Sequence, residues 1–251
     1  MARTPAPGSG ESLFKQVIDS IAIAILSGEL KAGELVPTEP DPDAVIAPSR
    51  SVYREAVKYL SAKGLIEARQ RFGTRVAPQS SWNLLDPDIL RWALESRIDE
   101  NIVKHLYELR LFVEPNAAKL AAERGTEEQI AAIAEALAAM ERLPAYSEEM
   151  IEADTAFHGG VLRASGNPAL MCLTSMITST LHWSMRLQRH KDAAAFTVAL
   201  ADHQRVLRAI SQRRPDQAHA FMTTLVVDAL HDTLEAFHQS PGAMHHAQAA
   251  E

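Results

Sequence analysis

Residues 49–76 read SRSVYREAVKYLSAKGLIEARQRFGTRV, and no other stretch restricts the fold as strongly. Ser49 is a good helix N-cap and Gly64 a C-terminal stop, so one helix is expected from Ser49 to Lys63. Each helical residue turns by about 100°, so Arg50, Arg54 and Lys58 drift by about 40° per step and share one face. Val52, Ala56 and Leu60 fall on another side, available to a core. The following LIEARQRFGTRV alternates around a glycine and reads as two short strands joined by a basic turn. Upstream, Phe14, Val17, Ile18, Ile21 and Ile25 recur at helical spacing before Gly28 and Gly33 break the pattern. Helix, middle segment, helix and hairpin is the order of a winged helix-turn-helix.

The charge distribution agrees with a DNA-binding head. The chain carries −7 overall, but residues 50–75 hold seven Lys/Arg against two Glu, a local balance of +5, whereas residues 76–251 hold 15 against 23, or −8. Ser49 and Ser51 sit at a helix N-terminus, where hydroxyls and free backbone N–H groups suit a phosphate. Arg50 and Arg54 can address guanine edges, and Arg69, Arg71, Gly73, Thr74 and Arg75 form a basic wing tip. The other reading, a solvated helix with its basic residues outward, does not explain the basic hairpin that follows at once.

Composition limits the rest. A chain of 251 residues, 47% hydrophobic, has apolar material for one large domain or two modest ones. The single cysteine, Cys172, excludes an intramolecular disulfide, and the opening MARTPAPGSGES lacks the apolar core of a signal peptide. No apolar run approaches the roughly 20 residues that cross a bilayer. A cytoplasmic location without membrane contact is expected. Beyond SSWNLLDPDILRW everything reads as helix, with a capping box at Thr126–Gln129 and a turn at Gly166-Asn167-Pro168. The expected fold is mainly α: an N-terminal winged helix-turn-helix (10–78), a linker (79–96), a C-terminal all-helical bundle domain of about six helices (97–238) and a disordered tail (239–251).

Two features of the helical part carry chemistry. Asp154 and His158 stand four apart on one helix and can share a metal ion, with His203 supplied by a separate helix. Arg110 lies among apolar residues at helical spacing and needs an anion, either Glu114 four residues on or a ligand. Met140, Met171 and Met176 read as core filler, and His105, His190 and His219 as surface residues. An enzyme reading would rest on the Asp154, His158 and His203 triad alone. The chain has no His-Glu-x-x-His, nucleophile elbow or phosphate-cradling glycine loop.

The segments PTE, SRSVYREAVKYLSAKGLIE and GTRV resemble the DNA-binding domain of GntR-type bacterial regulators, with Glu39 eleven residues before Arg50. The remainder resembles the helical ligand-binding (FCD) domain of the FadR subgroup, and the linker WNLLDPDILRW is similar to that of galactonate-operon repressors. The resemblance implies that Arg50, Arg54 and Gly73 contact an operator in double-stranded DNA and that the chain acts as a homodimeric repressor. It also implies that Arg110 faces an effector cavity for a small organic acid, such as a sugar acid. Asp154, His158 and His203 would bind the effector through a divalent metal such as zinc, and Asn167, His182, Trp183 and Arg186 could line the same cavity. A further histidine of the resembling pattern is missing, because Leu225 stands in its place; Asp228, one turn on, is a substitute. The chain also departs from the pattern at PDPDAVIAP, where Pro42 stands in place of a core leucine of the positioning helix and Pro48 in place of the valine just before Ser-Arg. This predicts a distorted or shortened helix and weakened DNA binding, with a ligand-sensing dimer as the alternative function.

Overall fold

The computed structural model describes residues 9–36, 49–69, 73–96, 100–189 and 193–239. The chain divides into two units, residues 1–98 and 99–251. Pro40, Pro42 and Pro48 lie outside the described residues, and so does the expected distortion of the helix there. The tail after Gln239 and His190 also lie outside them.

The first unit is built from helices α1 (Ser9–Leu26), α2 (Arg50–Ala62) and α3 (Pro87–Glu95) and the hairpin β1 (Ile66–Arg69) and β2 (Gly73–Val76). Ile18, Ile21 and Ile25 of α1 pack with Tyr53, Ala56 and Leu60 of α2. Val52 is only half-buried, so the inward face of α2 is turned by one residue toward Tyr53 relative to the expected one. Ser49 caps α2 by accepting from the Val52 backbone N–H at 3.3 Å. Gly64, at φ +80°, turns the chain out of the helix, and a Cβ there would come within 2.7 Å of the Ser81 carbonyl oxygen.

The hairpin is antiparallel, with Ile66 opposite Val76 and Arg69 opposite Gly73. Its free edge is covered in a way the sequence pattern does not announce. Residues 33–36 run along β2: Leu35 bridges Arg75, the Val36 N–H donates to the Thr74 carbonyl at 2.9 Å, and the Val76 N–H to that of Glu34 at 3.0 Å. This isolated bridge satisfies backbone groups that would otherwise be left open.

The segment expected to be a linker, residues 79–96, is instead part of the first unit. A 3-10 turn at Gln79–Ser81 leads to α3, whose Ile89 and Trp92 enter the same core as α1 and α2. The Asp-Pro pair starts this helix, with Asp86 as N-cap and Pro87 in the first turn. Trp92 Nε1 donates to Asp19 Oδ1 at 2.5 Å. Lys63 reaches both Asp86 and Asp88 at 2.8 Å, and Tyr59 donates its hydroxyl to Asp88.

Among the described residues the regular structure of the second unit is all helix: α4 (Glu100–Arg124), α5 (Glu127–Arg142), α6 (Glu148–Ala164), α7 (Pro168–Met171), α8 (Thr174–Leu187), α9 (Ala193–Ser211) and α10 (Pro215–Gln239). The capping box of α5 forms, with Gln129 N–H to Thr126 Oγ1 at 3.2 Å and Thr126 N–H to Gln129 Oε1 at 2.9 Å. α10 packs on α4 and α9, and α6 on α4, α5 and α8, so that α4, α6, α8, α9 and α10 can surround a common interior. Met140 and Met176 are core residues, but Met171 is 42% exposed because its helix is a single surface turn. Among the described residues, no helix is long and apolar enough to cross a membrane.

Candidate functional site

Each unit carries its own constellation. On α2 of the first unit, Arg50, Ser51, Arg54 and Lys58 are all exposed, opposite Tyr53, Ala56 and Leu60. The spacing of four produces this row, since the inward positions are taken by apolar residues. Ser49 shares a 2.9 Å hydrogen bond with Ser51 besides capping the helix, and Arg54 Nε donates to the Arg50 carbonyl at 3.4 Å. Gly73 is exposed at φ +77° and Thr74 is half-exposed on the wing. Arg75 is partly committed elsewhere, donating to the Gly33 carbonyl at 2.7 Å. The Arg69 side chain and Arg71 lie outside the described residues.

In the second unit a cavity of about 320 Å³ lies between the helices. Arg110 of α4, Asp154 and His158 of α6 and His203 of α9 all line it, as does Leu225 of α10. His203 Nε2 is 3.0 Å from Asp154 Oδ1 and 3.3 Å from His158 Nε2; His158 Nε2 is 3.8 Å from Asp154 Oδ1. Ligand atoms at about 2.0–2.2 Å from one ion lie roughly 3.0–3.6 Å apart, depending on coordination geometry. Two edges of the triangle match one face of a metal coordination shell, and the third, at 3.8 Å, is slightly longer.

Hydrogen bonds behind the triangle decide what it offers. His203 Nδ1 is 2.7 Å from the Ala199 carbonyl oxygen, which can only accept, so this nitrogen carries the proton. His158 Nδ1 pairs with Glu114 Oε2, a carboxylate that also only accepts. When both rings are neutral, each Nε2 therefore bears a lone pair, and both point at the oxygen of Asp154. Three electron pairs converge in a buried site, an arrangement that a cation would relieve. Phe157 holds both rings edge-on, with centroids 5.6 Å from His158 and 4.9 Å from His203. Asp154 Oδ2 and one terminal nitrogen of Arg110 (NH1) are buried without a hydrogen-bond partner. Each is costly to leave so.

Arg110 forms the expected ion pair with Glu114 and also reaches the cavity wall. It is 1% exposed, its Nε donates to Glu114 Oε1 at 2.6 Å, and it also lines the cavity. Its guanidinium lies 4.7 Å from the centre of the Tyr107 ring. Glu114 was legible only as a salt-bridge partner. Burial pushes its carboxyl upward, but Arg110 and His158 outweigh that and bring it to about 2.

Other expected residues fall elsewhere. Arg186 is exposed and pairs with Glu148 at 3.2 Å, because its turn of α8 faces away from the cavity. Asn167 caps α7, its side chain accepting from the Ala169 N–H at 3.0 Å. Trp183 packs against Phe237, and neither it nor His182 lines the cavity. Asp228 does line it, together with His231 and Asp232, which the sequence reading missed. Their spacing along α10 is an ordinary helical repeat, so only the positions of α9 and α8 reveal them.

The buried Asp154 and His203 make stability depend on pH when metal is absent. Burial raises Asp154, but His203, His158 and Arg110 outweigh it and lower the carboxyl below its ordinary value. Burial lowers His203, yet Asp154 and the Ala199 carbonyl outweigh it and raise the imidazole. The Asp154 contribution is complete above its unfolded pKa and is lost as pH falls through its folded value. The His203 contribution is complete below its unfolded pKa and is lost as pH rises through its folded value. In chelator, the contribution of this pair should therefore be greatest between about pH 4 and 6.5 and decline above. Thermal melts at several pH values check this, and the decline at high pH should disappear in His203→Gln.

The sequence pattern of the family described as "Bacterial regulatory proteins, gntR family" matches residues 13–76, and that of the FCD domain matches residues 105–228. The galactonate operon transcriptional repressor of Escherichia coli K12 is 32% identical over 214 residues, covering 85% of this chain and 93% of that protein. The uncharacterized HTH-type transcriptional regulator YieP of the same organism is 36% identical over 211 residues, covering 83% of this chain and 90% of its own length. The solved structure of Lar, described as controlling expression of the Listeria monocytogenes agr system, superposes with a TM-score of 0.58 at 17% identity. It covers 93% of this chain and 99% of that one, a likeness of fold.

Proposed function

Because this chain belongs to the GntR family of transcriptional regulators, with an FCD domain behind its DNA-binding domain, we propose that it is an operator-binding repressor released by a small carboxylate effector. The observation that carries this reading is the buried, unpartnered Arg110 nitrogen beside the Asp154, His158 and His203 triangle. Asp154, His158 and His203 would hold a divalent metal, and the ion would supply Lewis acidity for binding a carboxylate oxygen. Three protein ligands leave coordination positions for that oxygen, and the apolar Leu225 in the wall leaves the space open. Arg110 would take the second oxygen through its free N–H groups.

Electrostatics favours joint binding of metal and acid. The wall contains Asp154, Asp202, Asp228 and Asp232 against Arg110, so without a cation the cavity repels anions. Exposed Asp228 on α10, which lines the cavity, suits a hydroxyl donor, consistent with a hydroxy or sugar acid. The E. coli relative named for a galactonate operon points to the same chemical class.

A homodimer would set two copies of the Arg50, Ser51 and Arg54 row on a two-fold operator. Effector in the cavity and DNA on the heads would then oppose each other by a shared coupling energy, typically about 1–3 kcal/mol. The test is fluorescence anisotropy with the protein's own promoter region, across a panel of aldonic, uronic and short hydroxy acids with and without Zn or Mn. Release by at least one acid in the presence of metal is expected. Unchanged affinity across the whole panel would overturn the effector reading.

The DNA face has its own test. Arg54→Ala removes an exposed side chain from the row and should weaken operator binding by about 5- to 150-fold, the equivalent of about 1–3 kcal/mol. Thermal stability should change little, since the side chain is exposed. An unchanged dissociation constant would remove Arg54 from the interface.

A further inference from the structure

Glu114 stands one helical turn after Arg110 on α4, is 1% exposed, and lies behind the cavity wall rather than in it. Both of its oxygens are used. Oε1 accepts from Arg110 Nε at 2.6 Å, and Oε2 accepts from His158 Nδ1. The two donors come from the two halves of the site: the guanidinium that awaits an anion and an imidazole of the metal triangle. We propose that Glu114 is a positioning residue that couples the metal ligands to the effector anchor, fixing the His158 tautomer with one oxygen and aiming Arg110 with the other. The inference rests on the carboxylate-and-metal reading above.

The chemistry requires a carboxylate. Both partners present N–H groups, so the bridging side chain needs two acceptors, which Glu has and Gln lacks. In Glu114→Gln, whichever way the amide turns, its NH2 faces an N–H. His158 can relieve the clash by moving its proton to Nε2, but the lone pair is then withdrawn from Asp154 and His203. Alternatively Arg110 swings away, and its NH1 no longer presents to the cavity. Asp keeps the charge but is one methylene shorter, so it cannot span the gap between α4 and α6 that Glu114 closes.

The ring protons report this directly. In metal-free wild type at pH 8, long-range ¹H–¹⁵N correlation of the histidine rings should find His158 protonated at Nδ1; in Glu114→Gln it should move wholly or partly to Nε2. Calorimetric titration with Zn or Mn should give about a 10- to 100-fold loss of affinity. A merely structural ion pair between α4 and α6 would lower the melting temperature without moving either readout. If Glu114→Gln keeps the wild-type tautomer and binds metal within twofold of wild type, the proposal is overturned. Should that variant fail to fold, Glu114→Asp is measured instead, with the same tautomer shift expected and an unshifted tautomer overturning the proposal. If wild type binds no metal, the metal reading fails, while the tautomer of the metal-free protein still decides the role of Glu114.

Discussion

Replacing His203 with alanine is expected to reduce affinity for a divalent metal by at least about a hundredfold, or roughly 2.7 kcal/mol. Loss of a residue that merely orients a ligand typically costs about 10- to 100-fold, and loss of a ligand should cost no less. His203 is the only α9 member of the triangle, and its Nε2 is the atom nearest to both others, at 3.0 and 3.3 Å. Without it, Asp154 and His158 remain on a single helix, a two-ligand site open on one side. The substitution also removes the polar neighbour 3.0 Å from Asp154 Oδ1, leaving a buried carboxylate that already has one unpartnered oxygen. Metal content and calorimetric titration give the measurement, with exposed His105 changed to alanine as the control. Equal metal uptake by His203→Ala and wild type would dismiss the triangle as a metal site.

Trp92→Ala should destabilise the first unit by about 3–5 kcal/mol, the usual cost of emptying a large buried aromatic site. A tryptophan in a connecting segment would contribute little. This one is 1% exposed, shares a core with α1 and α2, and binds Asp19 through its indole N–H. Hydrogen exchange in the full chain separates the possibilities. Amides of α1 and α2 should lose protection in the variant, while those of α4 to α10 keep theirs. Unchanged protection in α1 and α2 would mean that α3 is dispensable to the head.

Much of this architecture was legible because it rests on local rules. Ser49 and Gly64 bound α2 as their cap and stop chemistry requires, and Thr126 with Gln129 opens α5. The four-residue spacings of Arg50 with Arg54 and of Asp154 with His158 carry directly into shared faces. What was not legible depends on distant partners. The isolated bridge at Leu35 exists only because β2 offers it an edge. Asp86-Pro87 reads equally as a break or a start, and only the core beneath Trp92 decides between them. Glu114 satisfies the spacing of a simple ion pair with Arg110, and nothing nearby in sequence announces its second bond, 44 residues away, to His158. Arg186 fails for the converse reason: its sequence neighbourhood resembles a binding site, but its turn of α8 faces Glu148.

The closeness of Gly64 to the Ser81 carbonyl, with Lys63 gripping Asp86 and Asp88, has a mechanical result. The end of α2 is tied to the 3-10 turn where Gly64 meets Ser81, and to the start of α3 through Lys63. A displacement of α3 would therefore be felt at the end of the helix that carries Arg50 and Arg54.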